Sequence, residues 1–130
     1  MNSILVLLYH GVTDQSAGKL NNLRNYNKKH LNKNTFEKQI ESINKSCEVI
    51  SIDQLVHYWN TNYEIKKPTV VITFDDGFRN NYSIAKPILE KYEVPATFYI
   101  STGNVSEQKL FWVDLLEIIF SKNRNNNSVN

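Results

Sequence analysis

Two continuous runs of apolar and β-branched residues, each of strand length, constrain the fold of this 130-residue chain more than any other feature. The run "ILVLLY" occupies positions 4–9 and the run "TVVITF" occupies positions 69–74, and neither alternates regularly with polar residues. Continuous apolar runs are typical of strands that are covered on both faces, as they are in parallel sheets. We therefore expect two buried strands that belong to one parallel sheet.

Helical patterns follow these strands. Phe36, Ile40 and Ile43 recur at helical spacing after an N-cap at Asn34 or Thr35. Alternation of strands with helices predicts an α/β fold in which right-handed crossovers join parallel strands. Further strands are predicted at 47–51 and 94–102, and further helices at 52–60 with Ser51 as its cap, at 79–93 and at 111–122.

The helix predicted at 79–93 contains an internal proline. Pro87 cannot donate a backbone hydrogen bond, so we expect a kink there or a position in a first turn. Helical spacing places Tyr82, Ala85, Ile88 and Leu89 on the inward face.

Two segments lack a steady periodicity. Residues 11–34 are polar and rich in Asn, which predicts a long loop, and long loops in compact domains tend to be functional. Residues 123–130 carry no helix or strand signal and are predicted to form a disordered Asn-rich tail. Residues 1–122 are then left as one structural unit.

Composition excludes several classes of protein. Fifteen basic and 13 acidic residues give a net charge of +2, and the scattered basic residues do not form the stripe of a nucleic-acid-binding protein. The single cysteine, Cys47, excludes an internal disulfide and a cysteine zinc site. No apolar stretch reaches the roughly 20 residues of a membrane span. Because the run at 4–8 lacks the basic flank of a signal peptide, we expect a cytoplasmic protein, with association with the cell envelope left open.

The acidic pair that follows the second run is the strongest functional signal. Asp75 and Asp76 stand side by side before Gly77, although adjacent, partly desolvated carboxylates repel each other by about 1 kcal/mol or more. Reactive groups of parallel sheets gather at the carboxyl ends of strands, where His10 and the pair Ser101-Thr102 are also predicted. One carboxylate can ligate a divalent metal while the other takes a proton from water. The alternative is that one Asp caps the next helix and the other is exposed.

The segment around this pair resembles a known family. "ITFDDGFRNNYSIAKPILEKYEVPATFYIST" is similar to the first signature of the polysaccharide deacetylase (NodB-homology) family, carbohydrate esterases that remove N-acetyl or O-acetyl groups from sugars. The resemblance extends through "LLYHGV", "FEKQIESI" and "VISIDQLV", over roughly residues 4–120. It implies a distorted barrel of about seven βα units with the site at the carboxyl ends of the strands. Four predicted strands then make a partial (β/α) barrel.

The resemblance also implies roles for three residues. Asp75 matches the family's general base and Asp76 matches a ligand of its divalent metal, which is usually zinc and polarises the acetyl carbonyl. His10 matches the catalytic acid of the members whose histidine motif lies in an N-terminal "YH" strand. His30 and His57 match no motif, and we expect surface roles for both.

One departure from the family pattern bears on activity. The family completes its metal site with a His-(Ser/Thr)-x-x-His segment, but no histidine follows His57 in this chain. A single carboxylate does not replace the three protein ligands that catalytic zinc requires. We therefore expect the N-terminal part of a longer deacetylase, with weak or absent metal binding and little activity alone. A shortened, self-contained relative is the alternative.

Two other functions compete with deacetylation. A noncatalytic carbohydrate-binding or interaction protein would use Tyr9, Phe78, Tyr82 and Trp112 to stack on sugars, although core packing explains most such rings. Phosphoryl transfer on an aspartate does not fit the spacing, because receiver domains carry their acidic pair after the first strand and dehalogenase-like domains use Asp-x-Asp. The expected partner is a polysaccharide or glycan, with no nucleic acid and no membrane span.

Overall fold

A parallel sheet forms the centre of the molecule. The structure is a computed structural model that describes residues 3–14, 28–107 and 109–126. The central strand β5 (Thr69–Phe74) pairs in parallel with β1 (Ile4–Tyr9) over its whole length. The strand β4 (Glu48–Ile50) pairs with its first three residues and β6 (Thr97–Phe98) with its last two, both in parallel. These four strands confirm the predicted α/β arrangement of about four parallel strands.

The two apolar runs differ in burial. All six residues of β5 are buried, as predicted. The prediction for β1 is wrong, because Leu5, Val6 and Leu8 are 55%, 50% and 56% exposed. Among the described residues β1 has only β5 as a neighbour, so it is an edge strand of the sheet. The apolar side chains of β1 are therefore only partly covered by the described residues.

A second, two-stranded sheet lies within the segment predicted to be a loop. Gly11–Thr13 form β2, His30–Asn32 form β3, and the two strands are parallel. The loop prediction is therefore wrong at both ends of 11–34, while its middle part, 15–27, lies outside the described residues. The long separation of these short strands in the sequence hides their pairing from any local pattern.

Two helices begin at polar caps. Helix α1 (Lys33–Ser46) starts at Asn32, whose side chain accepts a hydrogen bond from the backbone of Asn34, so the predicted cap was two or three residues late. Its apolar face buries Phe36 and Ile40 completely. Helix α2 (Ile52–Asn60) has the predicted cap, and Ser51 and Gln54 form a reciprocal capping box.

The helix after the acidic pair contains a wide turn. Residues Asn81–Ala85 form a π-helical turn that leads into α3 (Lys86–Lys91), with Pro87 in the first turn of α3. Pro87 therefore occupies a first-turn position, the second of the two expected alternatives, where its missing N–H needs no partner within α3. The extra residue of the π turn changes the inward face, so Asn81 is buried and Tyr82 is 74% exposed. The prediction that Tyr82 points inward was wrong for this reason.

The last predicted strand is much shorter than its apolar pattern suggested. Only Thr97–Phe98 pair with the sheet, and α4 (Thr102–Glu107) begins soon afterwards. Helix α5 (Trp112–Asn126) extends four residues into the segment expected to be a disordered tail, and 127–130 lie outside the described residues. Within the described part of the chain no helix has the length and apolar character needed to cross a bilayer.

Candidate active site

The carboxyl ends of β1 and β5 bring the candidate acid and base together. Tyr9 is opposite Phe74 in the parallel register, so His10 and Asp75 follow at the same edge of the sheet. The backbone N–H of Asp75 donates to the carbonyl of Tyr9 at 2.9 Å, which extends the pairing by one step. His10, Asp75 and Asp76 are all partly buried. The predicted meeting of the YH strand and the acidic pair is therefore present in the backbone.

The acidic pair sits on a sharply reversing turn. Asp76 and Gly77 both adopt left-handed backbone conformations, with φ of 74° and 71°. Such a conformation is uncommon for residues other than glycine, although Asp and Asn tolerate it better than most. A Cβ at Gly77 would also lie only 3.0 Å from Cγ2 of Ile100. This turn directs the chain away from the sheet edge immediately after the two carboxylates.

An aromatic cluster supports the sheet edge below the turn. Phe74 is fully buried, and its ring contacts those of Tyr9 and Phe98 at centroid distances of 5.4 and 4.8 Å. Phe36 of α1 meets Tyr9 edge to face at 5.2 Å. The carbonyl of Phe74 accepts a hydrogen bond from the backbone of Tyr99 at 2.8 Å. The residue before Asp75 is thus held on several sides by apolar packing and hydrogen bonding.

His30 lies buried beside the acidic turn, so the prediction that it has a surface role was wrong. It is only 7% exposed, its ring meets Phe78 at 4.8 Å, and its Nδ1 atom lies 3.1 Å from Nδ2 of Asn80. Sequence reasoning missed it because a lone histidine in an Asn-rich segment has no periodicity. The one sequence feature that could have indicated a close contact here is Gly11, a glycine directly after the candidate acid. In the structure Gly11 lies opposite His30 in the β2–β3 pairing.

A largely buried ion pair lies next to Phe78, on which His30 packs. The ammonium of Lys29 contacts the carboxylate of Asp114, and their side chains are 9% and 17% exposed. The same ammonium lies 4.8 Å from the ring centre of Phe78 and 5.8 Å from that of Phe111. The pair connects the start of α5 to the segment that contains His30.

The burial of His30 changes its acid–base behaviour. Loss of hydration is the largest cause that lowers its pKa, from 6.5 to about 4, and the positive charge of Lys29 acts in the same direction. The carboxylate of Asp114 opposes these effects, and His10 adds a smaller lowering effect. The imidazole is therefore neutral near pH 7 and can accept a hydrogen bond from the Asn80 amide at Nδ1.

This lowered pKa predicts that the fold loses stability in acid. Between its pKa in the folded chain, about 4, and the ordinary 6.5, His30 is protonated more in the unfolded chain. The free energy of unfolding should therefore fall as the pH drops through this range, by on the order of 3 kcal/mol from this group. We expect His30→Gln to remove that part of the pH dependence in urea unfolding measured at about pH 7 and about pH 4.

A matched control exists at His57, which is exposed on α2 as the sequence predicted. His57→Gln should leave the loss of stability between the two pH values unchanged. Equal losses in His30→Gln and in the unmodified chain would contradict the assignment of this pH dependence to His30.

The four aromatic residues considered for sugar stacking fall into two groups. Tyr9 packs in the core cluster and its hydroxyl donates to Gln39 at 3.2 Å, while Phe78 packs against His30 and Phe111. Tyr82 and Trp112 are 74% and 71% exposed. Core packing explains the first two, as expected.

The described residues do not provide a complete metal site. Within 3–14, 28–107 and 109–126 no three His, Cys, Asp or Glu side chains are grouped as a metal ion requires. Asp76, the residue that the resemblance assigns to the metal, therefore has too few companions to satisfy zinc. The donor set of the described chain does not fit a tightly bound ion.

Comparison with known proteins agrees with this arrangement. The sequence profile of the family "Polysaccharide deacetylase" matches residues 62–122, which include the acidic pair. A poly-beta-1,6-N-acetyl-D-glucosamine N-deacetylase of Staphylococcus aureus (strain MSSA476) is 32% identical over an alignment of 126 residues, which covers 88% of this chain. The chain belongs to the polysaccharide deacetylase family. It spans 41% of the length of that curated relative.

Solved structures confirm the fold class of this polysaccharide deacetylase chain. The Streptococcus pyogenes deacetylase PplD, in complex with acetate, matches with a TM-score of 0.64 and 27% identity over 80% of this chain and 45% of its own. IcaB from Ammonifex degensii matches with a TM-score of 0.66 at 22% identity, over 80% of this chain and 40% of its own, and that likeness concerns the fold alone. The four-stranded sheet is therefore part of a deacetylase-type (β/α) barrel.

Proposed function

We propose that this chain supplies the acid–base half of the site of a carbohydrate deacetylase that hydrolyses N-acetyl groups of a polysaccharide or glycan. The observation that carries the proposal is the hydrogen bond from the Asp75 N–H to the Tyr9 carbonyl, which sets the acidic turn beside His10. The relatives support the substrate class, because the curated Staphylococcus aureus protein is named for poly-beta-1,6-N-acetyl-D-glucosamine.

The chain's own residues divide the proton transfers. Asp75 acts as the general base that takes a proton from the attacking water. His10 acts as the general acid that gives a proton to the departing amine, because an imidazole can both give and take a proton during turnover. The two residues follow neighbouring parallel strands, and the proposed mechanism requires one substrate amide to bind between them.

A divalent metal, with zinc the usual one, is proposed as the cofactor of the complete protein, where it would polarise the acetyl carbonyl. Asp76 would be one ligand, and the others would come from outside the described residues. We infer that the 130-residue chain by itself binds zinc weakly or not at all and is inactive or nearly so.

A direct experiment tests the chain alone. The purified chain should release no acetate above background from an N-acetylglucosamine oligomer, with or without added zinc, and should not retain one zinc per chain after dialysis. Stoichiometric zinc binding with sustained acetate release would contradict the inactivity. The family role itself is tested by fusion, in which this chain replaces the segment it matches in the Staphylococcus aureus relative. We expect the fusion to release acetate, and a folded, zinc-loaded fusion without activity would contradict the proposal.

The noncatalytic carbohydrate-binding alternative receives less support. It needs exposed rings arranged for stacking, but Tyr9 and Phe78 are engaged in packing. The Staphylococcus aureus relative and PplD are both named deacetylases. Binding of a glycan by the chain in the absence of zinc would restore this alternative.

A further inference from the structure

His30 has no part in the proposed proton transfers, yet it contacts both segments that carry them. On one side it belongs to β3, which pairs with β2 immediately after His10. The backbone N–H of Gly11 donates to the carbonyl of Lys29 at 3.1 Å. The backbone that follows the candidate acid is therefore fixed to the backbone that carries His30.

The contact between His30 and Gly11 is unusually close. A Cβ built on Gly11 would overlap Nδ1 of His30 and would lie 2.6 Å from its Cε1. The same Cβ would lie 3.1 Å from Oδ1 of Asn80. The imidazole therefore rests against the bare Cα of Gly11, and glycine is required there because a ring occupies the space of a side chain.

The other side of His30 faces the segment after the acidic turn. Nδ2 of Asn80 lies 3.1 Å from Nδ1 of His30, a hydrogen bond from the amide when the imidazole carries its proton on Nε2. Phe78 packs on the imidazole with ring centres 4.8 Å apart. Phe78 directly follows Gly77, so these contacts begin at the end of the turn that holds the two carboxylates. Burial keeps the imidazole neutral by lowering its pKa, so one ring nitrogen remains an acceptor near pH 7, and in the tautomer protonated at Nε2 that acceptor is Nδ1.

We propose that His30 is a positioning residue that holds the strand carrying His10 at a fixed distance from the turn carrying Asp75 and Asp76. This inference rests on the proposed deacetylase function for the roles of those three residues. A neutral imidazole suits the task because it fills the gap above Gly11 and accepts the Asn80 amide without adding a charge. Spacing matters for the chemistry, since a displacement of about 1 Å can reduce a rate by about a hundredfold.

Amide hydrogen exchange in the unmodified chain and in His30→Leu tests this role. We call the region where the backbone around His10 meets β3 and the acidic turn the junction. Two amides report on it: the Asp75 N–H, which donates to the Tyr9 carbonyl, and the Gly11 N–H, which donates to the Lys29 carbonyl. Leucine fills similar space but cannot accept the Asn80 hydrogen bond. We expect exchange at both junction amides to quicken about tenfold more than exchange at amides in the middle of β5, which report on global unfolding.

Three further variants separate positioning from general stability. Asn80→Ala keeps the imidazole but removes its partner, so it should produce the same selective change even if His30→Leu fails to fold. Gly11→Ala should quicken junction exchange in the unmodified chain but not in a His30→Ala background, where the methyl group has room. His57→Leu should change none of these rates.

Equal increases of the exchange rate at the junction and in β5 would show that His30 acts only as an ordinary core residue, and would overturn the proposal. Unchanged junction exchange in both His30→Leu and Asn80→Ala would overturn it as well. Because exchange does not require catalysis, this result is independent of acetate release by the fusion. If the fusion is inactive but the variants quicken exchange selectively at the junction amides, the deacetylase function is refuted and the positioning role of His30 stands. An active fusion in which His30→Gln lowers kcat with KM unchanged would support both.

Discussion

Replacing Asp75 by Asn in the fusion with the Staphylococcus aureus relative is expected to lower kcat for acetate release by about 10²- to 10⁴-fold, the contribution of a positioned general base. The amide has nearly the size of the carboxylate but cannot take a proton from water. The backbone N–H of Asp75 still donates to Tyr9 in the variant, so the turn should keep its place. Zinc content should remain close to that of the unmodified fusion.

Asp76→Asn provides the matched comparison, because the two residues differ in proposed role and not in side-chain chemistry. Asp76 has a φ of 74°, and Asn tolerates this left-handed conformation about as well as Asp. The substitution should therefore spare the turn while it removes a charged ligand. We expect lower zinc affinity for Asp76→Asn and lower kcat at full zinc occupancy for Asp75→Asn. Exchanged outcomes would reverse the assigned roles, and full activity in both variants would refute them.

The sequence predicted the sheet well because its information is local. Buried strands have continuous apolar runs, and β5 has such a run from Thr69 to Phe74. The Ser51 cap and the acidic pair are likewise set by adjacent residues. The presence of these signals within short windows explains why the order of strands and helices, and the location of Asp75 and Asp76 at a strand end, could be predicted.

The surroundings of His30 could not be predicted because they depend on distant residues. Its burial requires the pairing of β2 with β3, the ring of Phe78 and the amide of Asn80, which come from separate parts of the chain. The inward face after the turn was missed for a related reason. The proline predicted a kink or a first-turn position, but the π turn that brings Asn81 inward packs on β2 and α1, which lie far from it in the sequence.

The exposed side of β1 also reflects a nonlocal property. An apolar run indicates the burial that a strand has when all of its neighbours are present. Leu5 and Leu8 are nevertheless more than half exposed among the described residues. The chain spans 41% of its curated relative and 45% of PplD, and the family resemblance implies further strands in a barrel of about seven βα units. We propose that such strands would cover this side in the complete protein.

Phe74→Ala should lower the free energy of unfolding of the chain by about 3 to 5 kcal/mol. Phe74 is fully buried at the end of β5, and its ring lies within contact distance of Tyr9, Phe36 and Phe98. The loss combines the transfer of apolar surface, the cavity that remains and the ring–ring contacts. Urea unfolding monitored by circular dichroism measures the change through its midpoint at constant slope.

Tyr82→Ala is the matched control, because it removes a ring of similar size from a position that is 74% exposed. A change within about 0.5 kcal/mol is expected there. Equal losses at the two positions would contradict a core centred on Phe74. Because Asp75 follows Phe74 directly, the same cavity should also loosen the acidic turn, and Phe74→Ala in the fusion should lose kcat beyond the loss explained by its unfolded fraction. Phe74→Leu, which refills most of the cavity, should recover most of the stability and, with it, most of the rate.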